Sequence, residues 1–308
     1  MDLVNHLEGR LLFAVPKSNL EGRLQQATLD LLAGCDIQFR RETRLDIALV
    51  KNLPIALIFL PAADIPTFVG EGRVDLGITG QDQVGEHDAA LPAGETSHVE
   101  EVMDLGFGRC KLQVQVPEKG TVTDPKQLIG RNVVTSFTGL TQAFFAKLEG
   151  KSDKSELSTK IKYVGGSVEA ACALGVADGI VDLVESGETM KAAGLKAIDT
   201  VMESTAVLVK SKNTKNELVE LIASRIRGVI TAQRYVLCQY NIPREKLATA
   251  SNITPGKRAP TVTALEDDGW VAVSSMVEKK SIATVMDQLT EVGATDILVL
   301  TIANSRTA

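Results

Sequence analysis

Through the first two hundred residues, apolar runs of strand length alternate with stretches whose apolar residues recur at helical spacing. Repeated alternation of this kind narrows the fold to an α/β class with a mainly parallel sheet. "LLFAVP" (11–16) is strand-like, and "NLEGRLQQATLDLLAGC" (19–35) has a helical pattern closed by Gly34. "IALIFLP" (55–61) supplies a second strand, and "AADIPTFVGEGR" a short helix with Pro66 in its first turn. "VDLGITG" (74–80) is another strand, running into a turn.

A second unit of the same kind begins near 104. "DLGFGRCKLQVQVP" (104–117) alternates strictly from Leu112 to Val116. "DPKQLIGRNVVTSF" (124–137) gives helix, glycine stop and strand, and "GLTQAFFAKLEG" (139–150) the next helix. The polar stretch 150–160 is expected to be an exposed excursion, after which "IKYVGG", the helix "SVEAACALGVA" and the strand "IVDLV" complete the lobe. "LKAIDTVMESTAVLVKSK" (195–212) holds strand material without a helix of its own, so it is expected to return to the first lobe. The expected domains are therefore a discontinuous lobe I, 1–103 with 192–213, and a lobe II, 104–191. Two crossings between lobes imply a hinge with a ligand cleft. From 214 the character changes: 215–239 carries one long amphipathic helix, and the segments after it follow as α-β-β-α-β. With the end of "YVLCQY" as a first strand, 214–308 makes a small βαββαβ domain. A faint internal echo joins Asp75-x3-Thr79-Gly80 to Asp182-x3-Ser186-Gly187; related lobes and coincidence both account for it.

A chain of 308 residues suits two or three domains. Its net charge of −6 argues against nonspecific adhesion to nucleic acid or to an anionic membrane. Cys35, Cys110, Cys172 and Cys238 are scattered without metal spacing, which fits a reducing cytoplasm better than a disulfide framework. "MDLVNHLEGRLLFAVPKS" lacks the basic start and long apolar core of an export signal, and the longest apolar run, 55–63, is too short to span a bilayer. His6, His87 and His98 sit in polar surroundings and are read as surface residues, and Cys110 as structural.

The most specific chemistry lies in "IVDLVESGETM" (180–190), a strand ending in a hydroxyl- and glycine-rich turn. Backbone N–H groups at the start of a helix near Glu188, with the helix dipole, suit a phosphate monoester. Gly187 allows close approach, Ser186 and Thr189 add donors, and Asp182 just below could accept from vicinal ribose hydroxyls. That combination describes a pentose 5-phosphate site. The plainer alternative is a Ser186 helix cap, worth ~1 kcal/mol.

The longer pattern is Glu169-x5-Gly175-x-Ala177-x2-Ile180-x-Asp182-Leu183-x2-Ser186-Gly187-x-Thr189-Met190. It resembles the signature of the ATP phosphoribosyltransferases, the first enzymes of histidine biosynthesis. "GSVEAA", "VDLGITGQD", "LGFGRCKL" and "VVTSF" resemble segments of the same family, and 241–265 resembles the regulatory domain of its long form. The resemblance spans essentially the whole chain. It implies an α/β fold with a two-lobed periplasmic-binding-protein-like catalytic part plus a C-terminal βαββαβ ferredoxin-like regulatory domain. It implies transfer of the phosphoribosyl group of 5-phosphoribosyl 1-pyrophosphate to N1 of ATP, with Mg2+ accompanying the pyrophosphate groups. It also implies a homo-hexamer feedback-inhibited by histidine.

Carried over residue by residue, the resemblance assigns Ser186, Gly187, Glu188 and Thr189 to the 5-phosphate and Asp182 to the ribose. Glu169 either faces the same cleft or caps the helix it begins. Lys17 and Arg44 would meet nucleotide phosphates or remain solvated. Thr79, Gly80 and Asp82 end a strand where open α/β sheets place ligands. Arg109 and Lys111 would supply positive charge for pyrophosphate or form a surface pair. The histidine site would involve Asn241, Lys257 and Thr261; because Asn241 is neutral where some members have an acid, Asp296 is the expected compensating carboxylate. No protein side chain is assigned to a metal. Three rivals are weighed against this: a non-catalytic two-lobed binding protein, a phosphoribosyltransferase of the common fold, and a regulatory partner without catalysis. The Asp182–Thr189 loop argues against the first and third, and Leu183 beside Asp182, in place of a second acid, against the second.

Overall fold

The computed structural model describes residues 7–17, 23–41, 45–92, 94–152 and 156–306. The chain divides into two compact units, Met1–Asp30 with Gln38–Val219, and Leu31–Ile37 with Glu220–Ala308.

The first unit holds two sheets. One comprises β1 (Leu11–Pro16), β2 (Ile47–Leu49), β3 (Ile55–Leu60), β4 (Leu76–Gly80), β5 (Val99–Asp104) and β11 (Ala206–Ser211) in the order β2-β3-β1-β4-β11-β5. The other comprises β6 (Cys110–Pro117), β7 (Asn132–Thr135), β8 (Lys160–Tyr163), β9 (Gly179–Val184) and β10 (Leu195–Ser204) in the order β10-β6-β9-β7-β8. In each, three strands run parallel and one strand opposes them, β11 between β4 and β5 and β6 between β9 and β10; the first sheet adds β2, antiparallel to β3. The sheets are thus mixed rather than mainly parallel, because β6 and β11 each enter from the other lobe and β2 folds back on β3. β1 and β3 lie almost wholly buried, which explains why their sequences are continuous apolar runs and not alternating ones.

The lobes do repeat, but in a different register from the sequence echo. The Asp75 N–H donates to the Leu12 carbonyl (2.9 Å) while its carboxylate accepts from the Leu12 N–H (2.9 Å). In the second lobe the Asp178 N–H donates to the Asn132 carbonyl (2.9 Å) and its carboxylate accepts from the Asn132 N–H (3.0 Å). Asp178, four residues before Asp182, is therefore the partner of Asp75. Each aspartate pins the start of one parallel strand to its neighbour.

The helices are α1 (Arg23–Gly34), α2 (Ile65–Gly70), α3 (Gln81–Ala90), α4 (Thr138–Glu149), α5 (Ala170–Ala173) and α6 (Glu188–Ala192). α1 stops through Asp36, whose φ is +55°, with Ile37 N–H donating to Leu32 and Asp36 N–H to Ala33. Gly34, the expected stop, is instead a packing residue: a Cβ there would lie 3.0 Å from Val229. α5 is a single turn where the sequence suggested a longer helix. The excursion after α4 is tied down by Glu149, whose carboxylate accepts from the N–H groups of Ser158 (2.8 Å) and Thr159 (3.0 Å) and from the Thr159 hydroxyl (2.7 Å).

One expected boundary changes. β10 lies in the second sheet, paired with β6, so the chain returns to the first lobe at Thr205 and not from 192. The polypeptide crosses twice, between β5 and β6 and between β10 and β11. The crossings are bonded together: Leu105 N–H to Ala206, Ala206 N–H to Phe107 (both 2.9 Å), and the Thr205 hydroxyl to the Phe107 carbonyl (2.9 Å).

The second unit carries α7 (Leu218–Arg234, its first residues within the first unit), β12 (Tyr235–Pro243), α8 (Leu247–Ile253), β13 (Thr261–Ala264), β14 (Trp270–Glu278), α9 (Ile282–Glu291) and β15 (Thr295–Thr301). The all-antiparallel order β13-β14-β12-β15 is that of a βαββαβ ferredoxin-like domain. The long helix ends at Arg234 because Tyr235 to Pro243 alternates between buried and half-buried positions, as does β14. One face therefore packs on α8 and α9 through Cys238, Tyr240, Ile242, Val271 and Leu289. Among the described residues no helix is long and apolar enough to cross a membrane.

Candidate active site

Between the two sheets of the first unit lies a cavity of about 480 Å³ lined by Gln81, Asp104, Arg109, Cys110, Lys111, Val184, Glu185, Glu203, Ser204 and Thr205. A second cavity, about 280 Å³, is formed by Leu183, Val184, Glu185, Ser186, Gly187, Thr189 and Met190. Val184 and Glu185 line both, so the turn after β9 opens onto the cleft between the lobes.

Gly187 has φ +78° and φ alone explains its identity, since a Cβ would meet nothing closer than 3.8 Å. Its left-handed backbone turns the chain from β9 into α6, whose first-turn amides have no partner within the helix. Ser186 and Thr189 line the turn cavity and are exposed; Glu188 is exposed but does not line it, and its N–H lies 3.4 Å from Ser186 Oγ. On β9, before the turn, the Asp182 carboxylate accepts the N–H of the neighbouring Leu183 at 2.8 Å. Burial raises the Asp182 carboxyl above the ordinary range, and the nearby negative charge of Glu169 adds to the rise. Glu169 makes no side-chain capping bond at the start of α5, and its field reaches Asp182. Glu169 holds the N-cap position of α5 without that bond and lines neither cavity.

Arg109 and Lys111 both line the larger cavity, and Lys111 pairs with Glu203 at 2.7 Å. Cys110 sits between them, but burial pushes its thiol up to about 11, with Asp82 contributing, so it stays protonated and unreactive near neutral pH.

Other expected residues are placed differently. Thr79 is fully buried, with its hydroxyl donating to the Ala62 carbonyl at 2.8 Å. Gly80 is buried, and a Cβ there would collide with the Asp82 carboxylate. Asp82 is 4% exposed; its N–H donates to Ser204 Oγ (3.0 Å) and Ser204 Oγ donates back to its carboxylate (2.5 Å). Burial raises the Asp82 carboxyl, against the lowering effect of the Ser204 bond. Asp82 belongs to the seam between lobes, and none of the three lines the cleft, although the neighbouring Gln81 does. Lys17 lines neither cavity; its Nζ pairs with Asp46 at 2.7 Å, with Arg41 at 3.4 Å from the same carboxylate. Arg44 lies outside the described residues, as do His6 and Asn19.

Ser204, Thr205, Asp104 and Glu203 were not singled out from sequence. Their only trace is in the polar residues of the two crossings, "DLGFGR" with its two glycines and "MEST" with none, which come together across about a hundred residues of chain.

In the second unit a cavity of about 230 Å³ brings together Asn241, Thr261 and Asp296 with Gln239, Tyr240, Thr263, Ser274 and Leu298. Asp296 has φ +50°, and its carboxylate accepts from Asn241 Nδ2 and Thr295 Oγ1, both at 3.0 Å. The expected neighbour of Asn241 thus stands beside it. Lys257 is elsewhere, with Nζ 5.7 Å from the Tyr235 ring centre.

Comparison with known proteins follows the same division. The family model for ATP phosphoribosyltransferase matches residues 61–228, and that described as HisG, C-terminal domain, matches 232–304. The ATP phosphoribosyltransferase of Yarrowia lipolytica is 63% identical over 307 residues, covering 99% of this chain and 100% of that protein. That of Schizosaccharomyces pombe is 61% identical with the same coverage. Among solved structures, the ATP phosphoribosyl transferase (HisG:HisZ) complex from Thermotoga maritima aligns with a TM-score of 0.58 at 22% identity, covering 72% of this chain and 98% of that one, a likeness of fold. With both family models matched in order and relatives aligned from end to end, the chain belongs to the ATP phosphoribosyltransferase family.

Proposed function

We propose that this chain is a pentosyltransferase that moves the phosphoribosyl group of 5-phosphoribosyl 1-pyrophosphate onto N1 of ATP, the first step of histidine biosynthesis. The observation that carries the reading is the Ser186-Gly187 turn, left-handed at Gly187, after the half-buried Asp182, opening onto a cleft lined by Arg109 and Lys111. Adenine N1 forms a bond to the anomeric carbon as the bond from that carbon to pyrophosphate breaks, the electron pair leaving with pyrophosphate. No protein nucleophile is required; the work is alignment of two anionic substrates and stabilisation of the leaving group.

Residues in and around the cleft take the following places in that reaction. Amides and hydroxyls of Ser186, Gly187, Glu188 and Thr189 hold the 5-phosphate. Asp182, with Glu169 beside it, accepts from the ribose hydroxyls. A carboxylate held above its ordinary range gains by accepting such hydrogen bonds in a site from which water is displaced. Arg109 and Lys111 face the pyrophosphate, Lys111 exchanging Glu203 for the ligand. Lys17, at the end of β1, remains available to the nucleotide triphosphate if it releases Asp46.

Mg2+ supplies charge neutralisation on the departing pyrophosphate. Among the described residues no group of three or more His, Cys, Asp or Glu is placed to hold a metal ion. On this reading the ion would be carried on substrate oxygens, as Mg2+ commonly is. Histidine is assigned to the Asn241–Thr261–Asp296 cavity, where Asp296 provides the negative charge for an amino group and Asn241 the neutral partner. The working form is a cytoplasmic homo-hexamer.

The test is to mix the protein with ATP, 5-phosphoribosyl 1-pyrophosphate, Mg2+ and pyrophosphatase and follow ultraviolet absorbance with and without histidine. A new N1-substituted adenine chromophore that histidine suppresses supports both sites. Product insensitive to histidine removes the regulatory assignment, and no product removes the catalytic one.

A further inference from the structure

We propose that Glu86 is a positioning residue that fixes the angle between the two lobes and so keeps the halves of the cleft in register. The inference rests on the reading of that cleft given above, and its support comes from the face of α3. That helix, "QDQVGEHDAA", has no apolar stripe with which to earn a place against a core. Residues 82, 85, 86 and 89 share one face at i, i+3, i+4 and i+7, and every one of them meets the other lobe.

Asp82 exchanges two hydrogen bonds with Ser204 at the end of β10. A Cβ on Gly85 would lie 3.4 Å from Leu140 and 3.5 Å from the Met202 sulfur. The Glu86 carboxylate accepts the Gly139 N–H at 2.7 Å on one oxygen and the Leu140 N–H at 2.9 Å on the other, with Thr138 Oγ1 at 3.3 Å. Ala89 stands 3.0 Å from where a Cβ on Gly139 would be.

The N-terminus of α4 shows why the carboxylate is needed. Its own N-cap residue, Phe137, makes no side-chain capping bond. The first-turn amides that a helix leaves unpaired are instead satisfied from the opposite lobe, by a charge of the sign the helix dipole favours. Two glycines, one on each helix, permit the approach. The two crossings near Leu105 and Thr205 form a hinge, and Asp82 lies beside it, since Gln81 N–H bonds the Thr205 carbonyl. Glu86 sits one turn farther along α3, about 6 Å from Asp82. A bond at that distance opposes rotation about the crossings, which one beside the hinge does weakly.

The chemistry is specific. Both carboxylate oxygens accept from consecutive N–H groups, whereas a glutamine has one acceptor and one donor. Glu86→Gln therefore sets an N–H against an N–H, and Glu86→Asp is one methylene short. Gly139→Ala attacks the same seam with Glu86 intact; because alanine is the better helix former, loss of α4 itself cannot explain its effect.

The experiment compares wild type, Glu86→Gln and Gly139→Ala by steady-state kinetics, by calorimetric binding of 5-phosphoribosyl 1-pyrophosphate alone, and by hydrogen exchange of the peptide covering 138–141. Misplacing aligned reactants by about 1 Å costs on the order of 100-fold, so kcat should fall about 10- to 100-fold in both variants. Affinity for 5-phosphoribosyl 1-pyrophosphate, held within one lobe, should stay within about twofold of wild type on this reading. Exchange at 138–141 should quicken in Glu86→Gln while that of β7 and β9 does not. A kcat unchanged in Glu86→Gln, or reduced only in proportion to the folded fraction, overturns the inference. If wild type itself makes no product, the substrate reading has failed, and the seam is judged by exchange alone: unchanged protection at 138–141 in Glu86→Gln then overturns it.

Discussion

Gly187→Ala would put a β-carbon on the left-handed residue of the phosphate turn without pushing on anything. The nearest atoms, Met190 Cε and Val184 Cγ1, lie 3.8 Å from that carbon, so the cost is conformational alone. An L-residue held at φ +78° pays about 1–2 kcal/mol. Where this cost is felt depends on the free protein. If the turn keeps its shape without ligand, stability falls by the full amount and affinity is unchanged. If the turn relaxes when empty, the protein recovers part of its stability and binding bears the remainder. The two losses should add to about 1–2 kcal/mol, with an affinity loss no greater than about 5- to 30-fold. Denaturant unfolding and calorimetric titration with 5-phosphoribosyl 1-pyrophosphate measure the two parts. Gly175→Ala is the control, since Gly175 is also left-handed (φ +69°), has open space around its Cβ position and lies outside the turn cavity. It should lose stability only. Unchanged stability and affinity in Gly187→Ala, or an equal affinity loss in Gly175→Ala, would refute the reasoning.

Glu149→Ala should lower stability at pH 7 by about 1–2 kcal/mol, the shift being discounted for solvent screening. Burial raises this carboxyl, but the Ser158 and Thr159 donors outweigh burial and bring it from 4.5 to about 2. A folded-state value below the unfolded one stabilises above pH 4.5 and loses its effect as pH falls toward 2, so the gap between variant and wild type should narrow in acid; an equal gap at pH 7 and pH 2.5 in urea titrations would be evidence against it. Gly77→Ala should cost about 1–3 kcal/mol by overpacking, because its Cβ would sit 2.6 Å from Ile65 Cγ2 and 3.1 Å from Val69 Cγ2. An unaltered melting temperature would mean that α2 yields freely. Asp296→Ala should raise the histidine concentration for half-inhibition at least about tenfold if a charge-assisted bond of about 1.5–3 kcal/mol is lost; an unchanged inhibition curve removes Asp296 from that site.

The parts of the fold legible in the sequence are those governed by local rules. β1 and β3 are continuous apolar runs because both faces are covered, and β12 and β14 alternate because one face is not. The Ser186-Gly187 turn is legible for the same reason, as a left-handed position after a strand calls for glycine. α3 left no such mark. Its buried face is polar and its partners lie across a seam, so neither a hydrophobic period nor a cap announces it.

Residue types and their order thus determined the two α/β lobes, the βαββαβ domain, the family and the phosphate turn, since each depends on periodicity or on one residue's backbone freedom. Tertiary structure alone decided that β10 stays with the second sheet, that Asp178 is the counterpart of Asp75, and that Thr79 and Asp82 are buried while Gln81 and Ser204 reach the cleft. Each of these rests on a hydrogen bond or a burial between segments far apart in the chain. The energy of such a contact belongs to the pair, and neither partner's local sequence carries it.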